Sequence, residues 1–126
     1  MESTSTDIQA QIASVQAEIA AACQRENRSP DAVTLVAVSK TFPAERVALA
    51  IEAGIRHLGE NRVEEAVEKM PQIAALNPTP VAWHMIGHVQ SRKARYVTRG
   101  FARLHSLDSL HLAERLSRLL IDQGST

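Results

Sequence analysis

The chain is poor in cysteine and lysine, carries no net charge and contains no long apolar run. Each shortage removes a class of function. A single cysteine, Cys23, excludes an intramolecular disulfide. It falls on the apolar stripe of the first predicted helix, where a packed thiol in a reducing cytoplasm is expected. Fourteen basic and fourteen acidic side chains cancel, which leaves no electrostatic footprint for nucleic acid or an anionic membrane surface. The short basic cluster Arg92-Lys93-Ala94-Arg95 reads as a solvated helix face. Residues 1–7 are polar and acidic and are expected to be flexible, with neither the basic start nor the apolar centre of a secretory signal. No apolar stretch approaches the roughly 20 residues that span a bilayer, and no Gly-rich phosphate loop of recognised spacing occurs.

Lysine is the informative scarcity. Three lysines, Lys40, Lys69 and Lys93, stand against eleven arginines. Lys40 ends the apolar run Leu35-Val36-Ala37-Val38-Ser39-Lys40, which has the composition of a buried strand and delivers an amine to the point where the chain turns toward Pro43. An amine attacks a carbonyl only when unprotonated, and a free lysine with a pKa of about 10.4 is almost wholly charged at neutral pH. Partial burial beside an apolar wall lowers that pKa, and Val36 and Val38 share the face of Lys40 by the two-residue strand period. Lys40 is therefore a candidate Schiff-base nucleophile. The plainer alternative is a lysine that snorkels from a strand end to water.

Hydrophobic periodicity divides the 126 residues into alternating elements of a single domain. Ile8, Ile12, Val15, Ile19 and Cys23 mark one face of a helix that runs to about Arg25, with Asp7 or Thr6 as its cap. Strands are then predicted over residues 33–39, 56–58, 81–86 and 103–107, and helices over 43–53, 62–76, 91–98 and 109–121. Pro43 suits a first helical turn and Gly54 a left-handed helix end. Asn61-Arg62-Val63-Glu64 has capping-box spacing, and Asp108 is placed to cap a last helix with stripe Leu112, Leu116, Leu119 and Leu120. Pro71 should bend or shorten its helix. Four strand-helix repeats imply an α/β fold, a parallel sheet with helices outside. The pattern stops where a fifth strand is expected, so one truncated domain over residues 1–126 is the expectation.

Three segments fall at C-terminal strand ends: Ala37-Val38-Ser39-Lys40-Thr41, Gly59-Glu60-Asn61, and Trp83-His84-Met85-Ile86-Gly87-His88-Val89-Gln90-Ser91. In their order and spacing they resemble the pyridoxal phosphate homeostasis family, the YggS/PROSC proteins, across residues 8–120. Val89 stands where the family has a leucine. The resemblance implies a (β/α) barrel of TIM type, similar to the N-terminal domain of alanine racemase, of which this chain holds about the first four units: a half-barrel preceded by a helix. It implies further that Lys40 holds pyridoxal 5'-phosphate (PLP) as a Schiff base with Asn61 beside the cofactor. Asn61 as a simple helix cap is an equal alternative, and Glu60 is expected to hold its loop by a charged contact.

Trp83 and Met85 alternate onto an apolar face and read as core. His84 points the other way with Ile86, either as a hydrogen-bonded core histidine or as a residue at the cofactor. His57, His105 and His111 show no metal-ligand spacing and no cysteine joins them, so no metal is expected. The family holds the cofactor phosphate from its second half, which these residues do not include.

The function this implies is a non-catalytic PLP carrier in intracellular PLP homeostasis, cytoplasmic, without nucleic-acid or membrane partners. The alternatives are a racemase-like PLP enzyme and a half-barrel module without cofactor activity of its own. Racemisation needs an acid and a base on opposite faces of the substrate carbon, and the sole tyrosine, Tyr96, lies on a predicted helix away from the strand ends. An uncovered inner sheet face predicts a homodimer or a complementing half-barrel.

Overall fold

The computed structural model describes residues 5–125. Its element order is α1 (Ser5–Arg25), a 3-10 turn (Pro30–Ala32), β1 (Ala37–Val38), α2 (Ala44–Glu52), β2 (His57–Glu60), α3 (Val63–Leu76), β3 (Ala82–Met85), a second 3-10 turn (Ser91–Lys93), α4 (Ala94–Gly100), β4 (Arg103–Leu104) and α5 (Leu110–Gln123). The four strands pair in chain order, β1-β2-β3-β4, and every pair is parallel. The alternation read from the sequence is thus an α/β fold with a parallel four-stranded sheet.

Register sorts the strand residues between two faces. Leu58 lies opposite Ala37 and Trp83, and all three pack into an apolar cluster with Ala44, Val47 and Ile51 of α2 and Ile73 of α3. Met85 and Leu104 continue this helical face into a second cluster with Val63, Val97 and Leu112. Trp83 and Met85 are core residues, as their alternation predicted. The other face carries Val38 opposite Gly59, Gly59 opposite His84, and His84 opposite Arg103. Neither apolar cluster reaches it, and Val38 is 46% exposed.

Several local expectations are corrected. Ser5, Thr6 and Asp7 are already helical, so neither Thr6 nor Asp7 caps α1. Of the flexible start expected over residues 1–7, residues 1–4 lie outside the described ones. The edge strands β1 and β4 are shorter than predicted, because each has a ladder partner on one side alone. Arg62, not Asn61, occupies the N-cap of α3 and makes no capping hydrogen bond. At α5 the cap is Ser109, whose Oγ accepts the Leu112 N–H at 3.1 Å, while Asp108 turns to His88, with Oδ2 3.2 Å from Nδ1.

Pro71 interrupts nothing. The helix continues through it to Leu76, because Pro71 and Val67, whose carbonyl loses its partner, lie on the exposed side where water can replace the missing donor. Gly54 closes α2 with φ 112, the left-handed end anticipated for it.

Candidate functional site

The C-terminal edge of the sheet gathers the three segments singled out in the sequence. Residues 39–42 follow β1, Glu60 ends β2 with Asn61 just beyond it, and Ile86-Gly87 follow β3. Ladder hydrogen bonds carry the pairing to this edge, from Ser39 N–H to Gly59 O at 2.9 Å and from Ile86 N–H to Glu60 O at 3.0 Å. Gly87 packs so closely on the backbone of Asn61 that a Cβ there would strike the Asn61 carbonyl. The β2 and β3 ends are locked together by the absence of a side chain.

Lys40 is exposed, whereas Ser39 beside it is 4% exposed. The Ser39 hydroxyl donates to Glu60 Oε2 at 2.5 Å on the helical side, and Lys40 follows in the turn beyond β1. The wall of valines expected beside it is open: Val36 is half-buried and Val38 exposed. Gly59 forms the low point of this face, since a Cβ there would come within 3.2 Å of Val36 Cγ1 and 3.4 Å of Ile86 Cδ1.

Asn61 is half-buried and lines a cleft of about 250 Å³ with Arg62, Glu64, His88, Gln90 and Lys93. Among the described residues no hydrogen bond joins Lys40, Asn61 and His84 to one another. The basic cluster is divided: Arg92 and Arg95 are exposed, and Lys93 pairs with Glu64. That contact draws the Glu64 carboxyl below its ordinary pKa. The Tyr96 hydroxyl accepts from Arg95 Nη2 at 3.0 Å.

His84 is buried in a row of three imidazoles across the open face. His57 Nδ1 lies 3.0 Å from its Nε2, and its Nδ1 lies 2.9 Å from His105 Nε2. Both ring nitrogens of His84 are engaged, which is the hydrogen-bonded alternative anticipated for it. Burial, then the facing His105, His57 and Arg103, lower its pKa. The rings bond to one another in sequence instead of converging on a point, and among the described residues no group of three or more ligands could hold a metal ion.

Beneath the edge lies a network that the sequence reading missed. Lys69 of α3 is 7% exposed and Glu60 wholly buried. Lys69 Nζ lies 2.9 Å from Glu60 Oε2 and 3.2 Å from Glu65 Oε2, and donates to Ser39 O at 2.6 Å and Phe42 O at 3.1 Å. Glu60 thus makes the charged contact expected of it. Burial disfavours the charged form of Glu65, but the Thr41 N–H and the Lys69 ammonium outweigh it and hold the carboxyl below its ordinary pKa. The signal was present: Lys69 sits three residues after buried Ala66 and four before buried Ile73, a core position by helical spacing.

Comparison with known proteins decides the relationship. The chain is 46% identical over 111 residues to the pyridoxal phosphate homeostasis protein of Escherichia coli K12, covering 88% of this chain and 47% of that protein. The chain is a relative of the pyridoxal phosphate homeostasis proteins. The protein of that name from Pseudomonas aeruginosa is also 46% identical, over 84% of this chain and 45% of its own length. The chain therefore spans about half the length of the curated relatives it matches. Among solved structures, PipY of Synechococcus elongatus with PLP bound superposes with a TM-score of 0.71 at 42% identity, over 86% of this chain and 50% of that one. A protein of unknown function from Bifidobacterium adolescentis superposes with a TM-score of 0.87 at 30% identity, over 95% of this chain and 52% of that one. No family model matches the chain.

Proposed function

We propose that the chain binds PLP and serves intracellular PLP homeostasis in the cytoplasm as a non-catalytic carrier, with the cofactor held as a Schiff base on Lys40 Nζ. The observation that carries this reading is the exposed Lys40 at the C-terminal edge of a parallel sheet, in a chain similar over most of its length to PLP homeostasis proteins. In strand-helix barrels that edge is the face where ligands bind. The four units are read as the first half of such a barrel, of TIM type, with Asn61 and His84 as further cofactor-binding residues.

The residues present suit such a group. When bound, PLP would supply an aldehyde carbon that a lysine amine would hold as a Schiff base, with loss of one water. Lys40 offers the amine. Val36, Ile86 and the depression at Gly59 offer an apolar floor. Asn61 brings an uncharged donor and acceptor to the same edge. His84, tied to His57 and His105, is placed to hold the floor of the face and not to shuttle a proton. This favours a carrier over a racemase-like enzyme, because Tyr96 is engaged with Arg95 and among the described residues no second proton-transfer group is paired with Lys40.

The open face also supports association, as a homodimer or with a complementing half-barrel, since Val38 on it is exposed. The cofactor reading is tested by absorption spectra of the chain titrated with PLP, beside Lys40→Ala. A Lys40-dependent band supports it, and an equal band in the variant overturns it.

A further inference from the structure

The turn that carries Lys40 is held more firmly than an exposed loop requires. Thr41 adopts φ 65, a left-handed conformation that a β-branched residue enters only against steric cost. Phe42 N–H donates to Ser39 O at 3.2 Å, which closes a turn with Lys40 and Thr41 at its centre. Lys69 Nζ reaches under this turn and bonds both of its ends, the carbonyls of Ser39 and Phe42. Glu65, one helical turn before Lys69, accepts the Thr41 N–H at 2.5 Å.

A lysine is almost never buried without a reason, because desolvation of its ammonium is costly. Here the three N–H groups donate to three acceptors, two backbone carbonyls of the turn and Glu65, while the Glu60 carboxylate lies beside the ammonium as an ion-pair partner. Strained backbone persists where its surroundings over-determine it, and it concentrates at functional sites. Of the two non-glycine residues with positive φ among the described ones, Asn27 and Thr41, the β-branched one directly follows the candidate nucleophile.

We propose that Lys69 is a positioning residue: with Glu60 and Glu65 it pins residues 39–42 so that the Lys40 amine is presented at the edge of the sheet to an aldehyde. This rests on the cofactor reading above. Lys69 touches none of the reacting atoms and acts through the backbone on either side of Lys40. A lysine that merely filled the core would stabilise the fold without affecting which lysine reacts.

The test uses the 126-residue chain. Lys69→Met alone strands the buried Glu60 carboxylate and can unfold the protein. The informative variant is Lys69→Met with Glu60→Gln, which removes both charges together, with circular dichroism and a cooperative thermal transition to verify folding. Two quantities are read: amide hydrogen exchange at Thr41 and Phe42 without ligand, and the ratio of PLP capture at Lys40 to capture at Lys93 after borohydride reduction. Exchange should accelerate and the ratio should fall, each by about tenfold, the effect of losing one charge-assisted hydrogen bond. Both changes together support the positioning role. In a folded double variant, either change alone, or neither, overturns it. Absence of selective capture at Lys40 in the unaltered chain is a different failure, which overturns the cofactor reading itself.

Discussion

At the scale of single residues, the most exacting position is Lys69. Removing its ammonium leaves Glu60, fully buried and with Oε1 unpartnered among the described residues, as a carboxylate without a counter-charge. Lys69→Met should cost about 3–5 kcal/mol in chemical denaturation, and adding Glu60→Gln should recover most of it; equal losses in both variants would contradict the ion-pair account. His84 gives a pH signature. Burial, then His105, His57 and Arg103, make its imidazole harder to protonate in the fold. As pH falls through about 6.5 the unfolded chain takes up this proton first, so stability declines until the folded pKa is reached, below which both states carry it. His84→Asn should flatten that slope in denaturation midpoints measured across the acid range, and an unchanged slope would count against it. The position of Lys40 at a C-terminal strand end was legible because an apolar run ended in a scarce residue. The core position of Lys69 was present in its helical spacing, but its partners at residues 39, 42 and 60 are joined to it by packing across elements.

At the scale of elements, the sequence marked existence and order well and ends less well. Apolar periodicity reports which face is buried, and it placed α5 on its stripe; a cap depends on the backbone angles of one residue, which periodicity does not report. Asp108 and Ser109 are both good cap residues, and geometry chose Ser109. Ser109→Ala should therefore lower stability by about 1 kcal/mol in thermal or chemical melts, with Asp108→Ala having a much smaller effect; the reverse order would restore the capping first read from the sequence. The row of His57, His84 and His105 shows the same division. Each histidine could be assigned to a strand, but their neighbourhood follows from the register, in which His84 faces Gly59 and Arg103. Pro71 did not shorten its helix, and propensity alone carries no information on which side of a helix meets water.

At the scale of the whole molecule, the parallel sheet presents one face to helices and leaves the other with exposed Val38 and half-buried Val36 and Ile86. Such sheets ordinarily have both faces covered. Light scattering should show association that grows with concentration, and a compact monomer that binds no hydrophobic dye would contradict this. Among the described residues no helix is long and apolar enough to cross a membrane. The edge that carries Lys40 offers an amine and an apolar floor but no Gly-rich phosphate loop of recognised spacing, so this chain should bind pyridoxal almost as well as PLP when both are titrated by absorbance. A large preference for the phosphate form would reveal an anion site elsewhere. The central claim is that Lys40 is the residue that holds the cofactor, and its most direct test is borohydride reduction of the PLP-treated chain followed by peptide mass mapping. The account predicts label concentrated on Lys40 and lost in Lys40→Ala; label spread evenly over Lys40, Lys69 and Lys93, or unaltered by the substitution, would contradict it.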